Sequence, residues 1–358
     1  MKRDYRKRWR KWGTLAVAVF PMCIASILIY FQVWYKSPQV DSKIFELHSI
    51  LLGHEAEIWA VKFSPDGGTL ASASVDRSVK VWDLTSAKAI LDLKHPEGVT
   101  NLAYSRNGRL LVTTSYDGKI RLWDLPEGRQ TKEFIGHQGA VWSVDFSPDG
   151  KILASGGEDA TVRLWDIRSG QLLRTLTGHK LNIWDVKFSR DGFSLASGSF
   201  DKTIRIWMIS NGNLITELSG HSEAIVALAF SKNGQVLASA SDDSSLKLWD
   251  TRNWSVLRTI VVPEHFQAVD FSPDDKMLVA GGRDKPIIGE FLQNIFGDSH
   301  HNKGVSMRLW DVESGRLLQT FSQNANDVND VMFHAGGNWI ANTSSDKTLE
   351  LWRLSEKK

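Results

Sequence analysis

Two patterns of apolar and polar positions divide the chain. From Gly13 to Trp34 there are 22 residues without a charge. As a helix this stretch would measure roughly 33 Å, enough to cross a hydrocarbon core of about 30 Å. From residue 44 onward the pattern changes. Short alternating runs such as Ile58-Trp59-Ala60-Val61-Lys62-Phe63 are broken by turn formers such as Ser64-Pro65-Asp66-Gly67. A period of two with Gly, Asp and Asn punctuation predicts short antiparallel strands.

The strand-rich part repeats itself. Trp recurs at Trp82, Trp123, Trp165, Trp207, Trp249, Trp310 and Trp352, in steps of 41, 42, 42, 42, 61 and 42 residues. The text around each is alike: VWDL, LWDL, LWDI, IWMI, LWDT, LWDV and LWRL. Six residues before most of these Trp stands an Asp: Asp76, Asp117, Asp159, Asp201, Asp243 and Asp346. Twenty-eight residues before stands a His, usually after Gly: His54, His95, His137, His179 and His221. A period near 42 with Gly-His and Trp-Asp ends resembles the WD40 repeat family, over residues 44–358.

The resemblance implies an all-β, seven-bladed WD40-type β-propeller with four strands per blade. Elementary packing agrees, because one blade cannot bury both faces of its sheet and must stack on neighbours. The chain stops after the third strand of the last unit, and residues 44–50 occupy the outer-strand position of a preceding one. These residues are therefore expected to complete blade seven.

In the family, the repeated His, hydroxyl, Asp and Trp form a buried hydrogen-bonded chain inside each blade. Carried over by position, the sets are His54, Ser72, Asp76, Trp82; His95, Thr113, Asp117, Trp123; and His137, Ser155, Asp159, Trp165. Blades four and five supply His179, Ser197, Asp201, Trp207 and His221, Ser239, Asp243, Trp249. A catalytic triad would appear once rather than five times, so these groups are read as structural and no catalytic residue is assigned. Blade six, with Val262, Ala280, Asp284 and Trp310, and blade seven, with Asn324, Asn342, Asp346 and Trp352, lack the His–hydroxyl pair. His265 is three residues out of phase.

Charge distribution adds a topology. Residues 1–12 carry seven Lys/Arg and one Asp, and aromatic residues flank the uncharged stretch at Trp9, Trp12, Tyr30, Trp34 and Tyr35. The pattern predicts a basic tail (1–12), a single transmembrane signal anchor (13–34) and a linker (35–43). The apolar run exceeds the roughly 7–15 residues of a cleaved signal peptide, and no small-x-small site follows it. Basic residues before the stretch outnumber Lys36 and Lys43 after it, which predicts a cytoplasmic N-terminus and a propeller on the periplasmic or extracellular side.

Residues 44–358 are mildly acidic, with 34 Lys/Arg and 39 Asp/Glu, so a basic nucleic-acid-binding face is not expected. The single cysteine, Cys23, excludes a disulfide or a zinc cluster of cysteines. No phosphate loop, nucleophile elbow or metal-ligand spacing stands out, so no cofactor, metal or small-molecule substrate is assigned.

In the family, the faces of the ring bind proteins or peptides. Two positions per blade point at the narrow face. The first set is Trp59, Thr100, Trp142, Trp184, Val226, Gln267 and Asn329; the second is Val75, Tyr116, Glu158, Phe200, Asp242, Arg283 and Ser345. Trp59, Tyr116, Trp142, Trp184 and Phe200 form an aromatic crescent on blades one to four. Two readings stay open: the Trp rings pack on neighbouring blades as core, or they bind a partner. The long sixth repeat carries an insertion, residues 286–305, in which Ile287, Ile288, Phe291, Leu292, Ile295 and Phe296 make a one-sided stripe for a short helix. This insertion packs on the propeller, docks a partner or dips into a membrane interface. Asp298, His300 and His301 read as a solvated loop.

The function expected is a membrane-anchored, non-enzymatic scaffold presenting its narrow face, including Arg283, Ile288, Phe291, Leu292 and Phe296, to a protein or peptide. The alternatives are a propeller enzyme with a site at the channel mouth and a structural subunit of an envelope complex.

Overall fold

The computed structural model describes Val40 and residues 43–125, 127–262, 264–283, 307–321 and 327–355. The segments read as basic tail, transmembrane anchor and blade-six insertion lie outside the described residues, as does most of the linker. No helix among the described residues is long and apolar enough to cross a membrane.

The described residues form 28 strands in seven four-stranded antiparallel sheets, a seven-bladed propeller. Blade one runs outward through β2 (Ile58–Phe63), β3 (Thr69–Ser74), β4 (Ser78–Asp83) and β5 (Lys88–Lys94). Blades two to six repeat this order within residues 99–135, 141–176, 183–218, 225–261 and 265–320. Blade seven holds β26 (Val328–Phe333), β27 (Trp339–Ser344) and β28 (Leu349–Leu354). Its fourth strand is β1 (Phe45–Leu51), which pairs with β28 from Phe45↔Leu354 to Leu51↔Leu349. The first strand among the described residues thus finishes the last blade. Just upstream, Val40 exchanges hydrogen bonds with Thr320 on the outer strand of blade six: its N–H reaches Thr320 Oγ1 at 3.2 Å, and its carbonyl accepts from the Thr320 N–H at 3.1 Å.

The recurrent Ser-Pro-Asp-Gly text makes tight turns between first and second strands. Ser64 Oγ donates to Asp66, the Gly67 N–H donates to the Ser64 carbonyl at 2.9 Å, and Gly67 takes φ +73°. Ser147 and Asp149, Ser189 and Asp191, and Ser272 and Asp274 make the same hydroxyl–carboxylate bond. A residue with φ > 0 strains any side chain bearing a Cβ, which is why Gly recurs there.

Seven clusters of buried residues lie one between each pair of adjacent blades. Each repeat's Trp contributes to the cluster shared with the preceding blade: Trp123 joins Val79 and Leu93, and Trp207 joins Ala154 and Val162. The second strands are built of small residues because the next blade's inner strand presses on them. A Cβ placed on Gly198 would lie 2.7 Å from Ile225 Cγ2.

The inner strand of each blade has an unpaired edge facing the central channel, and its N–H groups need acceptors. Carboxylates of the preceding blade supply several of them. Asp145 accepts from Phe188 N–H at 2.9 Å, Asp185 from Leu228 N–H at 2.9 Å, and Asp270 from Phe333 N–H at 2.8 Å. At the seam between last and first blades, Asp330 accepts from the Val61 N–H at 2.9 Å and pairs with the Lys62 ammonium.

Candidate functional site

We use narrow face for the side carrying the loops from each outer strand to the next inner strand, together with the turns between second and third strands. The repeated polar residues approach this face from within the blades. In blade one, the Trp82 Nε1–H donates to Ser72 Oγ at 2.9 Å. The Ser72 hydroxyl lies 2.7 Å from His54 Nε2, and His54 Nδ1 lies 2.7 Å from Asp76. The same chain runs through Trp165, Ser155, His137 and Asp159; through Trp207, Ser197, His179 and Asp201; and through Trp249, Ser239, His221 and Asp243. Burial works to raise the pKa of these four carboxyls. The His ring bonded to each, together with a Ser or Thr hydroxyl and a backbone N–H, outweighs it and holds all four well below the usual carboxylate range.

A fifth member of this network was not singled out from the sequence. Ser78, Thr161, Thr203 and Ser245, each two residues after the Asp, donate to that Asp at 2.6 to 2.7 Å. The signal was present as Asp-x-Ser/Thr. The residue between takes a left-handed conformation, with φ from +59° at Ala160 to +73° at Lys202.

Blade two departs from the expected chain. Trp123, Thr113 and His95 are linked at 3.0 and 2.8 Å, but His95 Nδ1 lies against the Leu93 carbonyl at 3.0 Å rather than against Asp117. Asp117 is instead held by both terminal nitrogens of Arg121, at 2.5 and 3.2 Å. The hydroxyl position here is Lys119, which pairs with Glu133 at 3.1 Å. With no hydroxyl to orient it, Asp117 turns to the guanidinium. Burial pushes the His95 ring down to about 4, and the Arg121 cation acts in the same direction.

Blades six and seven replace the missing pair by other chemistry. Asn342 Oδ1 accepts the Trp352 indole N–H at 2.7 Å. In blade six, Arg308 of the third strand meets Glu264 of the incoming loop at 2.7 Å, both side chains almost fully buried. The out-of-phase His265 bonds through Nδ1 to the Asp242 carbonyl of blade five.

The first narrow-face set, Trp59, Thr100, Trp142, Trp184, Val226, Gln267 and Asn329, lines a central channel of about 700 Å³. Thr100 and Val226 are buried, and Asn329 donates through Nδ2 to the Ile58 carbonyl at 3.0 Å. The three Trp do more than line the wall. Trp142 and Trp184 stack with centroids 4.6 Å apart and planes 20° apart. Trp59 stacks on Trp142 at 5.9 Å and lies 6.0 Å from Trp184. Blades one and four stand across the ring from each other, so the rings meet over the channel axis rather than sit apart on a crescent.

Tyr116 packs edge-on against Trp142 at 5.5 Å and against Trp59 at 6.0 Å; Phe200 lies 5.2 Å from Trp184. Tyr116 and Phe200 remain 37% and 36% exposed, while the three Trp are half-buried. The Trp142 Nε1–H is buried without a hydrogen-bond partner among the described residues. Such a donor costs about 1–3 kcal/mol when left unmade. Glu57 accepts from Trp59 Nε1 at 3.3 Å, and Glu158 accepts from the Ala140 N–H at 2.9 Å. Burial raises the Tyr116 hydroxyl above its ordinary value, and the Glu57 charge adds to this.

Arg283 ends the second strand of blade six, its backbone opposite His265. Ile288, Phe291, Leu292 and Phe296 lie outside the described residues. Among the described residues, no group of three or more His, Cys, Asp or Glu could hold a metal ion.

Seven stacked blades around a channel, with an aromatic cluster over one mouth, define a repeat-built β-propeller whose most accessible chemistry is a surface for contact. The WD domain, G-beta repeat family matches residues 45–83, 88–124, 128–166, 170–208, 212–250, 255–285 and 315–353, and the chain belongs to that family. Individual relatives match over short stretches. Nuclear distribution protein nudF 2 of Penicillium rubens is 36% identical over 56 residues, 16% of this chain and 12% of the relative. Telomerase protein component 1 of Mus musculus is 34% identical over 100 residues, 26% of this chain and 4% of the relative. Protein Mut11 of Chlamydomonas reinhardtii is 46% identical over 46 residues, 13% of this chain and 12% of the relative. The chain thus spans about an eighth or less of the length of these curated relatives.

Proposed function

We propose that the protein is a non-enzymatic, membrane-anchored scaffold that presents the narrow face of its propeller to a protein or peptide. The observation that carries this reading is the cluster of Trp59, Tyr116, Trp142, Trp184 and Phe200 over the channel mouth. Aromatic rings supply large contact area at low entropic cost and are enriched among interface hot spots. Membership of the WD40 family supports a contact role over catalysis. The anchor is residues 13–34, and its support is the 22-residue uncharged stretch with basic residues before it. In this reading the N-terminus is cytoplasmic and the propeller stands outside the cytoplasm.

The test is proximity labelling from the propeller in intact cells, comparing the native chain with a Trp142→Ala/Trp184→Ala variant. We expect a defined set of neighbours to be lost in the variant while its circular dichroism and melting stay close to native. Unchanged neighbours with the fold intact would overturn the narrow-face assignment. Collapse of the propeller would make the two rings core. Protease applied to intact cells reads the topology: a propeller that stays protected, yet is cleaved after permeabilisation, would place it on the cytoplasmic side.

A further inference from the structure

The aromatic cluster has a sign as well as a shape. Around blades one to three, the narrow-face loops carry exposed Glu55, Glu57, Glu97 and Glu158. The carboxylates of Asp76, Asp117 and Asp159 in the same blades are engaged by His54, Arg121 and His137. Arg77 stands 3.9 Å from Glu97, and both are more than half exposed, so this pair is loosely held. Lys180 and Lys202 belong to blade four, and Lys202 is paired with Glu223 at 3.3 Å. The half of the face bearing Trp59, Tyr116 and Trp142 is therefore acidic.

One of these carboxylates bonds a ring of the aromatic cluster, and a second holds the backbone next to it. Glu57 bonds the Trp59 indole at 3.3 Å, and Glu158 caps Ala140, two residues before Trp142. An electron-rich ring face beside a carboxylate attracts a cation more strongly than either does alone.

Resting on the narrow-face reading above, we propose that the partner segment is basic. One Arg or Lys side chain docks against Trp59 and Tyr116 beside Glu57, with Glu158 adding to the negative charge of the same face. An acidic or phosphorylated segment would meet like charge at the same place and is disfavoured.

The experiment uses the full-length chain in detergent and short fluorescent Gly/Ser/Ala peptides carrying a cluster of Arg, of Glu or of Gln. We expect the Arg peptide to bind at least about tenfold more tightly than the other two, with affinity falling as NaCl is raised. Glu57→Gln with Glu158→Gln keeps side-chain shape and should weaken the Arg peptide by about tenfold, leaving thermal unfolding unchanged. Equal or tighter binding of the Glu or Gln peptide, Arg binding indifferent to the two Gln substitutions, or no binding by any peptide would overturn the proposal. A Gln peptide that binds as well as the Arg peptide, and is lost in Trp142→Ala, would remove the cationic preference and leave the face. Arg binding that survives Trp142→Ala/Trp184→Ala would remove the face itself.

Discussion

Gln319 on the outer strand of blade six holds the main chain of Phe45 by both of its backbone groups. The Phe45 N–H donates to Gln319 Oε1 at 2.8 Å, and Gln319 Nε2 donates to the Phe45 carbonyl at 2.7 Å. Phe45 itself is buried at the interface of blades six and seven. The strand that completes blade seven is therefore pinned at its start by blade six. Gln319→Leu should leave two buried backbone groups unpaired and lower stability by about 2–4 kcal/mol. Hydrogen exchange would register this as faster exchange in β1 and β28 with blades two to four unchanged. Uniform protection across the ring would mean that the pairing of β1 with β28 suffices.

Interblade spacing can be probed at Gly198. Its Cα faces Ile225 so closely that even a Cβ would meet Cγ2 at 2.7 Å. Gly198→Val should cost about 1–3 kcal/mol by overpacking. Adding Ile225→Ala to that variant should recover part of the loss, a coupling readable by urea unfolding in a double-mutant cycle.

Acid acts first on blade two. The His95 pKa is depressed to about 4 in the fold against an ordinary value near 6.5, so folding favours the neutral ring. The corresponding stability is complete above pH 6.5 and declines as pH falls toward 4, by up to about 3 kcal/mol. His95→Gln cannot take up that proton and should flatten this part of the pH–stability curve. The carboxyls of Asp76, Asp159, Asp201 and Asp243 are depressed too, so their contribution is present above about pH 4 and fades only in stronger acid. An unaltered slope between pH 6.5 and 4 in His95→Gln would show that other groups control it.

Blade six depends on an ion pair in place of the His network. Replacing Glu264 by Gln removes one carboxylate charge from a buried Arg308 and should lower stability, read as an earlier midpoint in urea unfolding. With the native pair in place, blades six and seven should still exchange faster than blades two to four, because each lacks the His–hydroxyl links those blades carry. Slower exchange there would show that the substitute contacts more than compensate.

The left-handed turns offer a stabilising change. Ala160 and Lys347 adopt φ of +59° and +73° where blade two has Gly118 at +77°. Ala160→Gly removes a strained Cβ and should raise the melting temperature slightly, by the equivalent of about 1 kcal/mol. A lower melting temperature would mean that the added freedom of the unfolded chain outweighs the relief of strain.

The sequence by itself determined the number of blades, their order and the fold. The Trp, Asp and His spacing is a period that one supersecondary unit imposes on every copy. Residues of the polar chain in blades one, three, four and five were legible for the same reason: their partners lie at constant offsets within one repeat. Contacts between neighbouring repeats also recur, 43 positions apart for Asp145 with Phe188 and for Asp185 with Leu228, but the contacts that close the ring follow no such spacing, so the tertiary structure alone decided them. Asp330 meets Val61 across 269 positions, and Val40 meets Thr320 across 280. The same holds for the aromatic site. Position told that Trp59, Trp142 and Trp184 would face one end of the ring. That they stack over its axis depends on how far their rings reach from blades standing opposite one another. Blade two shows the limit from inside a repeat, because Asp117 has two partners within reach, His95 and Arg121. Which one it takes is decided by three-dimensional competition among charge, burial and the hydroxyl that Lys119 replaces.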